Sequence, residues 1–174
     1  MEPELTMTKH WKPTTPYFTI RKSGIQGKGA FAVRSIRKGA RIAEYIGERI
    51  SHEEAENRYD EDAMDHPYTY LFTVDDEIVI DATRRGNGAK YINHSCDPNC
   101  ESVIVGDRVF IEARRGIKIG EEITYDYNLY CDGPYGRGWR TRYACHCQAR
   151  TCRGTLLRPP KRKKRKITAK SKKR

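Results

Sequence analysis

The sequence predicts a mainly β domain with few short helices, and three observations carry that expectation. First, short runs rich in β-branched and aromatic residues recur at residues 18–21, 30–33, 41–46, 69–74 and 77–80, each of strand length and bounded by polar or glycine-containing stretches. Second, residues 102–105 and 108–111 are separated only by Gly106-Asp107, a two-residue connection suited to a hairpin turn that needs positive φ. Third, a single segment, 51–59, carries a helix signature: Ser51 with Glu54 three residues on reads as a capping box, and good helix formers follow.

At 174 residues with 37% hydrophobic content, the chain can bury one core and is short for two. No run of 18 apolar residues occurs, and the N-terminus lacks a charged-then-apolar signal pattern. A soluble, non-secreted, intracellular chain with no membrane segment is the expectation. Residues 1–17, with three prolines, read as an extended arm. From Arg158 to Arg174 there are 11 Lys/Arg and no Asp/Glu, which leaves 23 basic against 23 acidic residues elsewhere. The net charge of +11 thus sits in a low-complexity tail, 158–174, expected to be disordered because it has too little apolar surface to offset ordering. A neutral body with a cationic tether argues against a groove-reading nucleic-acid domain, although the tail could itself bind nucleic acid by counterion release.

All six cysteines lie at or after Cys96, and Cys145, Cys147 and Cys152 are too close together for several independent disulfides. In a non-secreted chain the pattern points to a metal. The segment Tyr91-Ile-Asn-His-Ser-Cys-Asp-Pro-Asn-Cys100 gathers two amides, a histidine and two cysteines, and is followed by Glu121-Glu-Ile-Thr-Tyr-Asp-Tyr127 and by Cys145-His-Cys147 with Cys152.

In this order, and together with Gly27-Lys-Gly-Ala-Phe-Ala32, Glu44-Tyr-Ile-Gly-Glu48, Tyr70-Leu-Phe72, Asp81-Ala-Thr83 and Gly86-Asn87, these blocks resemble the SET-domain protein-lysine methyltransferases. The likeness is to the trithorax-type members with a C-terminal zinc-binding post-SET segment, and it runs from about residue 18 to 157. It implies a SET-domain fold of small curled β-sheets over 18–130, a post-SET segment over 131–157, and a knot-like threading of the Asn-His-Ser-Cys segment beside Tyr-Asp-Tyr. It further implies methyl transfer from S-adenosylmethionine to a lysine of an extended, basic, histone-like protein segment, by a monomer that is nuclear or chromatin-associated in a eukaryotic setting and cytoplasmic otherwise.

By the same resemblance Lys28, Gly29, Tyr70, Asn93, His94, Tyr127 and Leu156 hold the cofactor. Tyr127, Tyr125, Tyr70 and Tyr45 wall the lysine channel, with Tyr127 the leading catalytic candidate, and a tyrosine at Tyr125 favours mono- and dimethylation. Cys96 joins Cys145, Cys147 and Cys152 around one structural zinc. The chemistry suits these residue types. Tyrosine rings exclude water from an amine that must be neutral to attack, and a narrow channel next to a sulfonium depresses that amine's pKa. Each residue has a plainer alternative. Gly27 and Gly29 could simply make a turn, His94 could be a satisfied core histidine, the tyrosines could be packing residues, and His146, Cys100 or Cys131 could replace a metal ligand. Lys90 departs from the family's usual arginine, the stretch 128–144 is long, and no cysteine-rich segment precedes residue 18. The rival reading is a non-catalytic zinc module that binds nucleic acid or chromatin through its tail.

Overall fold

The computed structural model describes residues 10–59, 70–130 and 137–158. Among the described residues, ten strands form three small sheets, accompanied by two short helices. The first sheet has the order β1 (Phe18–Lys22), β2 (Lys28–Ala32), β10 (Glu122–Tyr125), β7 (Asn93–His94). The second places β9 (Arg108–Ala113) between β3 (Arg41–Tyr45) and β8 (Cys100–Val105), and the third places β6 (Val79–Asp81) between β4 (Glu48–Ile50) and β5 (Leu71–Thr73). The expected basic tail beyond Arg158, the first half of the N-terminal arm and Cys131 lie outside the described residues.

The expected elements form, with small changes at their ends. The β8–β9 hairpin closes Val105 on Arg108, and only Gly106 takes positive φ, at 61°. Glycine at the first central position is the demand of a II′ turn. Ser51 caps α1 (His52–Arg58) by accepting from the N–H of Glu54. The Glu54 carboxylate, however, turns to Arg58 rather than back to Ser51, so one half of the capping box is made. A 3-10 turn at Gly88–Tyr91 and the short helix α2 (Trp139–Arg142) were not visible as periodic patterns.

The core is built where the sheets meet, from Ala30, Ile42, Ile80, Ile92, Val109, Ile111 and Ile123, all 2% exposed or less. Two carboxylates are buried with it. Glu44 accepts from Nε and Nη2 of Arg108 at 2.8 and 2.6 Å and from the backbone N–H of Trp11 at 2.6 Å, so it ties the arm to the central sheet, where Trp11 stands edge-on to Phe110. Asp81, fully buried, accepts from the Tyr59 hydroxyl, the Thr83 N–H and Arg58. No helix among the described residues is long and apolar enough to cross a membrane.

Burial acts to raise the Glu44 carboxyl, but Arg108, the Trp11 N–H and His10 outweigh it and hold the group below the usual carboxylate range. At Asp81, too, burial acts to raise the carboxyl, and Thr83, Tyr59 and Arg58 outweigh it and hold the group low. Carboxyls depressed in the fold contribute stability above their unfolded pKa of about 4, and that stability is lost as pH falls through and below this value. Urea melts between pH 7 and 3 are expected to show this loss. Glu44→Gln, which strands the Arg108 guanidinium, should cost about 3 kcal/mol at neutral pH and flatten the acid limb.

Candidate functional site

The site begins with two residues of β7. Asn93 and His94 pair in parallel with Thr124 and Tyr125 of β10, which sets the Asn-His-Ser-Cys block beside the Tyr-Asp-Tyr block. Asn99 fastens the same junction from below: its amide donates to the Glu122 carbonyl at 2.7 Å and its oxygen accepts from the Thr124 N–H at 2.9 Å. His94 is 2% exposed. Its Nδ1 accepts from the Tyr127 N–H at 3.1 Å, and its Nε2 lies 3.4 Å from the Cys96 sulfur. Nδ1 is also 3.5 Å from an Asp126 oxygen, an approach that would suit a protonated ring. Burial, however, lowers the histidine to about 4, against the pull of Asp126 and with the repulsion of Arg153. Asp126 is in any case taken by Arg153 in a two-pronged ion pair of 2.6 and 3.0 Å. The neutral ring therefore has its proton on Nε2, directed at the sulfur.

An aromatic cluster adjoins this junction. Tyr125 lies 4.9 Å from Tyr127 and 6.4 Å from Phe72, which in turn lies 5.4 Å from Tyr45 (ring centroids). Tyr45 and Tyr125 are buried, and desolvation is the main reason that both phenols are raised well above their ordinary value. The hydroxyl protons of Tyr45 and Tyr127 are committed to backbone, to the Tyr70 carbonyl at 3.1 Å and the Ile92 carbonyl at 2.9 Å.

On the other side of Tyr127 an open cleft is lined by Ile25, Gln26, Asn93, His94, Ala144 and Leu156, among others. A mainly apolar lining with a few polar groups is the usual character of small-molecule sites. Its far wall is held in place from a distance: Leu156 N–H bonds the Tyr143 carbonyl, Leu157 bridges Leu129, and Arg153 holds Asp126.

Beside the cleft the sulfurs of Cys96, Cys145, Cys147 and Cys152 all lie within 4.8 Å of one another, with Cys96 at 3.7 Å from Cys145 and 3.9 Å from Cys152. Backbone N–H groups point at them, from Cys96 to Cys147, from Arg153 to Cys96 and from Gly154 to Cys152. Burial opposes ionisation of Cys147, but the N–H groups of Cys96 and Ala149 and the neighbouring thiols bring it down to about 6. The group could hold a metal ion.

Of the sequence candidates, the structure brings Asn93, His94, Tyr127 and Leu156 to one cleft, and Tyr45, Tyr125 and Tyr127 to one aromatic cluster. Tyr70 joins through its carbonyl and an edge contact with Tyr91 at 5.9 Å, with its side chain 36% exposed. Lys28 and Gly29 stand behind the cleft: the Lys28 carbonyl accepts from the Asn93 amide at 3.0 Å, and a Cβ on Gly29 would collide with the Glu122 carboxylate. Among the rival ligands, Cys100 is fully buried away from the cluster, with burial raising it to about 12, and His146 lines the cleft. The sequence reading did not find Ser23, Glu122, Phe72 or the Asp126–Arg153 pair. A pairing across 27 residues leaves no local period, though both partners flank residues that the motifs had marked.

With the geometry in hand, comparison with known proteins is informative. The SET domain family profile matches residues 27–128. The chain is 42% identical over 142 residues to histone-lysine N-methyltransferase set-2 of Caenorhabditis elegans, covering 78% of this chain and 9% of that protein. It is 40% identical over 144 residues to histone-lysine N-methyltransferase set1 of Dictyostelium discoideum (79% and 9%), and 38% identical over 159 residues to histone-lysine N-methyltransferase SUV39H2 of Xenopus tropicalis (79% and 38%). The chain thus spans about a tenth of the first two relatives and under two fifths of the third.

Elemental analysis of the purified chain is expected to return one metal ion per chain. Cys147→Ser or Cys152→Ser should lose that metal and make residues 143–157 markedly more sensitive to protease, because ligand loss releases binding energy that also orders the segment.

Proposed function

Because the chain belongs to the SET-domain family, we infer that it is a protein-lysine N-methyltransferase that uses S-adenosylmethionine and acts on a lysine in an extended, basic, histone-like segment. One observation carries this reading: Tyr127 is shared between the cleft and the aromatic cluster, so a ligand in the cleft and an amine entering among the rings would meet across a single side chain. A non-catalytic zinc module has no use for that junction.

The lining fits the proposed ligands. Leu156 and Ile25 offer apolar surface, Asn93 and the backbone around Gln26 offer polar groups, and His94 stays neutral beside a cationic donor. The thiol spacing suits zinc: bonds of about 2.3 Å in a tetrahedron set sulfurs about 3.8 Å apart, close to the 3.7 and 3.9 Å observed. Cys96, Cys145, Cys147 and Cys152 would hold it, and its role is to fasten Leu156 over the cleft.

When bound, S-adenosylmethionine supplies a methyl group made electrophilic by its sulfonium. The chain's residues do the rest. Tyr45, Phe72, Tyr125 and Tyr127 exclude water from the entering amine, which favours its neutral form. Tyr45 and Tyr127, with their protons committed to carbonyls, present lone pairs that orient the amine and the electropositive methyl. Neither Tyr45 nor Tyr125 can take the lysine proton, since burial raises both phenols and keeps them protonated. The proton would therefore leave to water before the amine is sealed in, and the rings would hold the neutral amine facing the methyl group of a bound cofactor.

Two expectations follow from this arrangement. The rate at subsaturating peptide should rise with pH, roughly tenfold per unit from pH 7 to 9, because a free lysine of pKa about 10.4 must shed its proton first. Tyr45→Phe should lower the curve without changing its shape, whereas an inflection lost with that hydroxyl would identify a protein base. Product multiplicity tests Tyr125. The wild type should yield chiefly mono- with some dimethyl-lysine, and Tyr125→Phe should shift products towards di- and trimethyl-lysine, because a second transfer needs room that the hydroxyl or its water occupies. Mass spectrometry at matched turnover reads the ratio, and a packing role alone would lower the melting temperature with the ratio unchanged.

A further inference from the structure

Glu122 is a feature of the site that the proposed chemistry leaves unused. It is half-buried on β10, and its carboxylate has no Lys, Arg or His partner among the described residues. Instead it accepts from the Ser23 hydroxyl, with oxygens at 2.8 and 3.0 Å, and from the Asn93 amide at 2.8 Å. It can approach β2 this closely only because residue 29 is glycine.

Both donors are turned by this carboxylate into acceptors. Ser23 gives its proton to Glu122, and its oxygen then accepts from the N–H groups of Ile25 and Gln26 at 2.9 and 3.4 Å. This shapes the Ser23–Gly27 turn whose Ile25 and Gln26 edge the cleft. Asn93 spends Nδ2 on Glu122 and on the Gln26 and Lys28 carbonyls at 3.2 and 3.0 Å. With three acceptors on that side, the amide can be oriented only one way. Its Oδ1 has no donor among the described residues and is what Asn93 offers to the cleft.

Building on the methyltransferase reading, we propose that Glu122 is a positioning residue that fixes the Asn93 amide and the Ser23–Gly27 turn, so that this end of the cleft presents hydrogen-bond acceptors and selects a ligand bearing a cationic donor, the α-ammonium of the cofactor's amino-acid portion. Glu122 acts through Asn93 and Ser23. The lysine channel is walled by other residues, so its loss bears on cofactor recognition and leaves the aromatic cluster intact.

The test compares binding of S-adenosylhomocysteine with that of its analogue lacking the α-amino group, by calorimetry on the full chain. Wild type should prefer the former by about tenfold or more. Glu122→Ala should reduce that preference to roughly threefold or less and raise the KM for S-adenosylmethionine by about tenfold, the usual scale for losing a group that orients a ligand-binding side chain. The KM for peptide should be unchanged and kcat at saturation should stay within about twofold, since only ground-state recognition of the cofactor is lost. Glu122→Gln, which keeps the shape and one acceptor oxygen, should restore part of the preference and covers the case in which the alanine variant folds poorly. Ser23→Ala should weaken both ligands alike. An undiminished preference in both Glu122 variants, or equal losses in peptide and cofactor parameters, would overturn the assignment. A wild type that binds neither nucleoside would instead refute the methyltransferase reading, and this inference with it.

Discussion

Two hydrogen-bonded residue pairs, Asn93 with Thr124 and His94 with Tyr125, are the constraint on which the site depends. A parallel contact this short contributes little alone, yet three structures hang from it. One strand leads directly to Cys96 and the metal-competent thiols. The other leads to Tyr125 and Tyr127, and the seam between them is the floor of the cleft. Asn99, buried and bonded on both sides of its amide, is the brace that keeps the two segments in register.

The electrostatics follow from the same arrangement. The buried groups here are kept neutral or paired: His94 without a charge, the phenols protonated, Asp126 against Arg153, Glu44 against Arg108. The carboxylates of Glu44, Asp81 and Asp126 are each met by a guanidinium and by further donors, as ions removed from water require. A site prepared this way offers no strong base and no strong nucleophile next to a reactive methyl donor, and its selectivity comes from shape and from which lone pairs face inward.

Much of this was legible in the sequence. Period-two runs, the Gly106-Asp107 connection and Ser51 with Glu54 marked the elements, because strands, turns and caps write themselves into neighbouring residues. The Asn-His-Ser-Cys and Tyr-Asp-Tyr blocks named the core of the site, and the cysteine spacing named three of four thiols. What stayed hidden was pairing across long separations. Nothing local to Glu122 tells that its carboxylate meets Ser23, 99 positions earlier, and nothing local to Arg153 tells that it meets Asp126. The close approach at Gly29 was hidden for a related reason: the absence of a side chain there makes room for the Glu122 carboxylate.

The closing wall of the cleft has a bearing on the chain's history as it is made. Ala144, Cys145, His146 and Leu156 are translated after every other residue that borders the cleft, and three of the four thiols emerge with them. Every strand of the three sheets is complete by Tyr125, so the pocket's roof is the last part of the site to leave the ribosome. The same few residues that gather the thiols also finish the cleft, and a chain halted short of them lacks the site.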